Sequence, residues 1–381
     1  MLRASERKKL REENIQRLTG EYSEYFTKLH NFEFVRRLGL GSGAVALLFK
    51  EFEREAPGTK KRNVVVKFAF SEYEHRNEHA DDEIENELRW LTMLQGAEHI
   101  VEILGHEVDR SKVSRPALVL EYVEYGSIQD LCKRMTARNI RVPNRVLWSM
   151  FLCLIRACIG FAYPPWQNGE QEKIPTDGIK RPSFIIHNDL HDENVLIGEL
   201  MPDGIEHRLA PILKVRTTIN MLGFKLCISI KLTRNDQVID FGKTMETPPG
   251  NWITADQANI QEAARIVAGV VAMKYSTLRD ENMEVDIPDE TGNVRKIVAF
   301  TDPALRDSLY LLPTLKNLLL LCQAANPKDR PSLRYVLNAC EDAVTTHTAQ
   351  SYTGIANYDN TLESDDSIRA VIQQIVFNAD I

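Results

Sequence analysis

An α+β fold is predicted for this chain from three observations. Asn63-Val64-Val65-Val66-Lys67-Phe68-Ala69 is a β-branched run that reads as a buried strand. A glycine-rich turn between strands precedes it, at Leu38-Gly39-Leu40-Gly41-Ser42-Gly43-Ala44-Val45. Beyond it helical periodicity takes over. Ile84, Leu88, Leu91 and Leu94 form one apolar stripe between Asp81 and Gln95, and Ala263 to Val271 reads as an apolar helix. At 381 residues, with 43% hydrophobic and 27% charged content, the chain can bury a large core and still carry tails.

The elements follow in order. Residues 1–30 read as a charged helix whose apolar face is Leu18, Tyr22, Tyr25, Phe26 and Leu29. In the strand after the glycine turn, Lys67 is costly to bury unless an anion meets it. Glu87, beside the apolar stripe of the next helix, is the candidate anion, whereas Glu83 and Glu85 are expected in solvent. Glycines at 39, 41 and 43 let backbone N–H groups approach phosphates without Cβ interference. Farther on come His187-Asn188-Asp189-Leu190-His191-Asp192-Glu193-Asn194 and Asp240-Phe241-Gly242. Phosphoryl transfer needs a carboxylate near the attacking hydroxyl and hard oxygen ligands for magnesium, and Asp189, Asn194 and Asp240 are those residue types in that chain order.

These motifs resemble, in type and order, those of a eukaryotic-type protein kinase domain, over roughly Phe32 to Ala339. The resemblance implies a two-lobed fold, with a small antiparallel β N-lobe and a larger, mainly α C-lobe. It implies ATP and Mg2+ as cofactors and a hydroxyl-bearing substrate, most simply a protein Ser/Thr, because the tyrosine-kinase form of the loop is absent. It divides the chain into a helical extension (1–31), N-lobe and hinge (32–123), C-lobe (124–342), and a linker with a C-terminal amphipathic helix (343–381). Carried over by position, Lys67 resembles the strand lysine that holds the α- and β-phosphates, and Glu87 its helix partner. Gly39, Gly41, Gly43 and Val45 resemble the phosphate-covering loop. Glu121 and Val123 resemble the hinge whose backbone binds adenine, after a gatekeeper at Leu120. Asp189 resembles the catalytic aspartate, and Asn194 and Asp240 the metal ligands. Asn326-Pro327-Lys328-Asp329-Arg330-Pro331-Ser332 looks like the late motif with its buried arginine.

The departures carry information too. Counting from Gly39 puts Ala44 at the third loop glycine, whereas counting back from Val45 favours Gly43. Asn188 replaces the arginine that meets a phosphorylated activation loop. His191 stands where Ser/Thr kinases carry a lysine near the γ-phosphate, so charge neutralisation falls to magnesium, to Lys67 or to a protonated His191. No Ala-Pro-Glu precedes the helix at 263–271, so Arg330 needs another partner, for which Glu246 is proposed, and Asn259 takes the place of that helix's usual aspartate. His187 is read as a structural contact to Phe241. The His-x-Asp-Leu-His loop is also similar to that of aminoglycoside and choline phosphotransferases, so a small-molecule kinase is one alternative. A nucleotide-binding pseudokinase is the other.

One stretch interrupts the pattern. Removing Val215 to Gln237 joins Pro-Ile-Leu-Lys directly to Val-Ile-Asp-Phe-Gly as an unbroken strand. Val-Arg can be encoded as GTACGT or GTAAGA and Gln as CAG, which are splice-like ends, and the 23 codons of residues 215–237 keep frame. A retained intron is the leading reading. A genuine insertion extruded as a surface loop is the other.

A net charge of −7, with no basic block beyond Arg7-Lys8-Lys9, argues against a nucleic-acid partner. Cysteines 132, 153, 158, 227, 322 and 340 form no CxxC pair, and Cys153 and Cys158 read as helix core rather than ligands. That usage, with no secretory signal, predicts a cytoplasmic protein. Leu147 to Tyr163 is apolar but interrupted by Arg156 and short for a bilayer, so no membrane association is expected. Tyr163–Pro182 and Asp280–Arg295 read as surface loops and Thr345–Leu362 as a polar linker. The end is an amphipathic helix with Ile368, Val371, Ile372, Ile375 and Val376 on one stripe and a cap in Ser364–Asp366. The pattern assigns no oligomeric state.

Overall fold

The computed structural model of the chain describes residues 4–40, 43–53, 59–71, 77–105, 108–164, 171–176, 178–202, 204–217, 253–274, 280–288, 293–354 and 358–378. They fall into two units. The first takes the chain from the N-terminal helix to Gln95 together with Val101–Tyr122. The second takes Gly96–Ile100 and the chain from Val123 onward.

In the first unit, α1 (Ala4–His30) leads into a four-stranded antiparallel sheet of β1 (Phe32–Leu40), β2 (Ala44–Phe52), β3 (Lys60–Ala69) and β4 (Ala117–Glu121), in sequence order. Helix α2 (Asn77–Met93) follows β3. Strand alternation sorts the side chains. Val45, Leu47, Phe49, Val64, Val66 and Phe68 point to one face and are closed over by Ile15, Leu18, Tyr22, Tyr25 and Phe26 of α1. The Tyr22 ring stacks on Phe68 with centroids 4.3 Å apart, and its hydroxyl donates to the Arg115 carbonyl.

The α2 stripe differs from the sequence reading. Ala80, Ile84, Leu91 and Leu94 are buried, but Leu88 is 42% exposed and Glu87 faces inward. Successive residues on a helix are about 100° apart, so the inward arc that takes Ile84, Leu91 and Glu87 leaves Leu88 outside. Glu83 also departs from its expected solvated state. It is half-buried, and a Cβ on Gly43 would collide with its Oε2. Burial pushes its pKa up, against the pull of His79 and Lys67.

The second unit is mainly helical. Helices α3 (Ile128–Arg138) and α4 (Asn144–Ala162) precede a two-stranded pair, β5 (Val195–Ile197) and β6 (Leu213–Val215). Then come α5 (Ala255–Ala272), a hairpin of β7 (Glu281–Pro288) and β8 (Val294–Thr301), α6 (Pro303–Arg306), α7 (Pro313–Cys322), α8 (Leu333–Thr346) and α9 (Asp365–Ile372). Helix α4 is long and apolar enough to cross a bilayer, contrary to the expectation of an interrupted run, yet it is the core helix, with 94% of its apolar window buried. Its Arg156 is tolerated inside because Nη2 lies 2.7 Å from Glu206 Oε1 and 2.6 Å from Glu341 Oε1.

Three expectations are corrected here. Within the stretch expected as a loop, residues 281–288 pair antiparallel with 294–301: Met283, Val285 and Ile287 are buried and alternate with exposed acids. The 345–362 stretch is packed rather than free, with 3₁₀ turns at Ala349–Tyr352 and Asn360–Glu363 and a fully buried Tyr352. The stretch before residue 183 has no regular structure among its described residues, but it buries Glu172 completely.

The chain end is anchored to the second unit. Ser364 caps α9 by accepting from Ser367 N, and Ile368, Ile372, Ile375 and Val376 are buried, while Val371 is only half-buried. Arg134 Nε on α3 donates to Ile375 O at 2.5 Å, and the Phe377 ring meets Tyr125 edge-on at 4.7 Å.

Candidate functional site

The candidate residues form two groups of side chains, one in each unit. In the first, cross-strand register sets Gly39 beside Ala46, Ala46 beside Lys67 and Lys67 beside Leu118. Directly paired residues share a face, so a row of minimal side chains leads up to the lysine. Lys67 Nζ donates to Glu87 Oε2 at 2.6 Å, with side chains 18% and 8% exposed. The pair answers the burial problem posed by a lysine in a hydrophobic strand: each charge is the other's desolvation partner.

The same register corrects one assignment. Val45 pairs with Phe68, is fully buried, and belongs to the α1 face of the sheet, opposite Lys67. The residue beside Lys67 is Ala46. Side chains in a strand alternate, so a one-residue change in the loop count moves the assignment to the other face. Counting from Gly39 therefore fits the structure, and Val45 does not stand where a nucleotide-covering valine would. Gly39 has nothing near its absent Cβ, Gly43 is held close to Glu83, and Gly41 lies outside the described residues.

At the end of β4, Glu121 is tied to Glu102 twice: its N–H donates to Glu102 O at 3.0 Å and its Oε1 accepts from Glu102 N at 2.8 Å. Leu120 is buried, and Val123 opens the second unit.

The second group is built around Asp189. His187, fully enclosed, donates its backbone N–H to Asn259 Oδ1 at 3.1 Å, and Asn259 Nδ2 reaches back to Ile185 O at 2.9 Å. The buried amide of α5 thus clamps the segment before the aspartate. The His187 ring fixes the other side: Nε2 donates to Arg216 O at 2.6 Å and Nδ1 accepts from Asp189 N at 3.3 Å. Burial holds this imidazole below its usual pKa. Asn188 sits at φ 57°, a left-handed conformation that asparagine tolerates, and so turns the chain between His187 and Asp189.

Asn194 Nδ2 donates to Asp189 O at 2.8 Å and to Asp189 Oδ2 at 3.0 Å, fixing the carboxylate. His191 Nε2 lies 3.5 Å from Asp189 Oδ1, and Nδ1 lies 3.7 Å from Asp192 Oδ1. Hydrogen bonding to Asp189 and then Asp192 raises His191 to about 9 against a smaller burial cost, while Glu193 N–H approaches its Nδ1 at 3.3 Å.

Asn194 Oδ1, the atom suited to a magnesium ion, lies 3.3 Å from Arg216 Nη2, and the same nitrogen also bonds Glu193 O. Arg216 N donates to Asn194 O at 2.8 Å, extending the β5–β6 ladder by one rung. Thr217 follows, 4% exposed, and its Oγ1 has no hydrogen-bond partner among the described residues. Asp240, Phe241, Glu246 and nearly all of the suspect 215–237 segment lie outside the described residues. Among the described residues Arg330 bonds two carbonyls, Ala324 O at 2.9 Å and Gln257 O at 3.1 Å.

Sequence reasoning missed Ala46, Arg216 and the Glu172 contact to His99. Only Ala46 had a signal, its spacing from Gly39.

The family model described as protein tyrosine and serine/threonine kinase matches residues 34–163. Among solved structures, a chain of the CAK complex of Chaetomium thermophilum bound to ATP-gamma-S is similar, with a TM-score of 0.50 and 15% identity. That match covers 82% of this chain and 91% of that one. No curated protein matches. The chain contains a protein kinase-like domain, with an α+β fold that joins a four-stranded antiparallel sheet to a helical C-terminal region.

Proposed function

We propose that this kinase-like domain is an ATP-dependent phosphotransferase that moves the γ-phosphoryl of ATP to a Ser/Thr hydroxyl of a protein. The observation that carries the reading is the Asp189–Asn194–His191 cluster. It holds a carboxylate, an amide nitrogen and an imidazole within 3.5 Å of one another. Asp189 orients the acceptor hydroxyl and takes its proton late, and Asn194 keeps that carboxylate aimed. Lys67, steadied by Glu87, draws the α- and β-phosphates. Backbone groups of Glu121 and Val123 hold adenine. His191 adds positive charge beside Asp189. Asn194 and Asp240 would hold magnesium, which when bound would supply charge neutralisation on the transferring phosphoryl. The donor set fits that ion in kind, being hard oxygens.

We further propose that residues 215–237 do not belong to the competent enzyme. Excision would bring Val238, Ile239 and Asp240 to the positions of Val215, Arg216 and Thr217. A guanidinium beside Asn194 Oδ1 would be replaced by an apolar side chain. A carboxylate would follow at the buried site where Thr217 Oγ1 lacks a partner among the described residues. The unexcised chain is then best read as a pseudokinase form. Transcript sequencing across the junction decides the origin: a message that always retains the segment ends the intron reading.

Metal-dependent transfer from ATP is tested with the excised chain on peptides and on small alcohols, with Asp189→Asn as control. Peptide phosphorylation abolished by that substitution supports the proposal. Transfer to small alcohols alone would favour the small-molecule alternative, and no transfer by any form would refute an enzyme.

A further inference from the structure

A second cluster lies inside the second unit, away from Asp189 in sequence and unused by the proposed reaction. His99, Cys153 and His207 come from three separate segments: the turn before Ile100, the middle of α4, and the loop between β5 and β6. Their exposures are 0%, 0% and 4%. One ligand atom from each lies within 4.8 Å of the others. His99 Nε2 stands 3.3 Å from His207 Nε2, and Cys153 Sγ stands 3.8 Å from His207 Nδ1.

We infer that His99, Cys153 and His207 form a structural zinc site. Two imidazole nitrogens on one tetrahedral zinc, each at about 2.0–2.1 Å, stand about 3.3–3.4 Å apart. That is the spacing between the two Nε2 atoms. Two imidazoles and one thiol are also donors that zinc prefers.

The surroundings are those of a metal site. Glu172 takes the His99 ring at Nδ1 (2.8 Å) and the His99 backbone N–H (2.8 Å), so Nδ1 carries the proton and Nε2 offers its lone pair to the centre. Carboxylate–histidine–zinc relays work this way. The Glu172 carboxylate that fixes this tautomer is itself fully buried. Arg156, one turn beyond Cys153, donates to Glu172 O at 2.6 Å and to Glu206 Oε1 at 2.7 Å, thereby tying together the segments that carry Glu172 and His207.

The site explains a fold-level oddity. Val215 N donates to His99 O at 2.9 Å, and Ile100 bridges Val215, so the short Gly96–Ile100 segment is laced to β6 and to the cluster at once. Zinc would bolt it to α4 and to the β5–β6 loop.

The test is metal analysis of the full-length protein after gel filtration. One zinc per chain is expected, and X-ray absorption at the zinc edge should show one sulfur and two imidazoles in its shell. Zinc returned to stripped protein, at about 100-fold above its dissociation constant, should raise Tm by about 5 °C. Cys153→Ser and His207→Gln should each lose the ion. Should these variants fail to fold, the absorption spectrum of the parent decides alone. Three results would overturn the inference: no zinc together with a Tm that zinc does not move, a sulfur-free shell, or full zinc content in both variants. None of these readouts depends on phosphate transfer.

Discussion

Excision of residues 215–237 should convert the chain from weak to strong binding of magnesium nucleotide. In the intact chain, Arg216 Nη2 bonds both Glu193 O and Asn194 Oδ1. A dication and a guanidinium about 5 Å apart would repel by about 7 kcal/mol at an effective dielectric of about 20, so the arginine must leave before the ion arrives. Its departure breaks charged hydrogen bonds worth about 1.5–3 kcal/mol, or about 10- to 150-fold in affinity. The excised chain avoids that cost and places the Asp240 carboxylate at the position of Thr217. Calorimetric titration with a non-hydrolysable ATP analogue, repeated across magnesium concentrations, measures the effect. The excised chain should bind at least about tenfold tighter, and Arg216→Ala in the intact chain should recover only part of the gain. Equal magnesium dependence in all three forms would refute the argument. So would tighter binding by the intact chain.

Other outcomes follow from the same structure. Lys67→Met strands the buried Glu87 carboxylate and should cost about 3 kcal/mol of stability as well as nucleotide affinity, whereas Glu87→Gln should mainly reduce kcat/KM; parental nucleotide binding by Lys67→Met would count against the pairing. The folded-state pKa of His191 lies above its unfolded value, so its stabilising charge is whole below about pH 6.5 and is lost as pH rises through about 9. The rate of the excised enzyme should fall across that upper range, and His191→Lys should move the fall to higher pH; a flat parental profile there would contradict the role. Glu363, fully buried, accepts from Asn144 N at 2.6 Å and Arg145 N at 3.0 Å and takes the Tyr358 hydroxyl, so Glu363→Ala should destabilise the protein by about 3 kcal/mol in urea unfolding.

How far the sequence could be read depended on how local each signal was. Lys67 with Glu87 was legible because a strand lysine demands an anion and, of the six acids on the next helix, Glu87 lies beside its apolar stripe. Leu88 was misread because an unbroken apolar stripe looked better than one holding an acid, although the acid was the buried member. Val45 was misplaced by a single count, which in a strand reverses the face. The β7–β8 hairpin was visible as a period of two in Met283, Val285 and Ile287, but the charges between them suggested a loop. His99, Glu172 and His207 could not be joined from spacing, since 73 and 108 positions separate His99 from its two contacts. Only tertiary packing brings them together.

The first helix has a practical corollary for anyone trimming this protein. The family match starts at residue 34, which invites a shortened version beginning there. Such a cut would strip the lid from an aromatic slab of Phe49 and Phe68 and leave adhesive sheet surface open to water. The shorter polypeptide would be expected to clump, and an inactive preparation of it would say nothing about the enzyme.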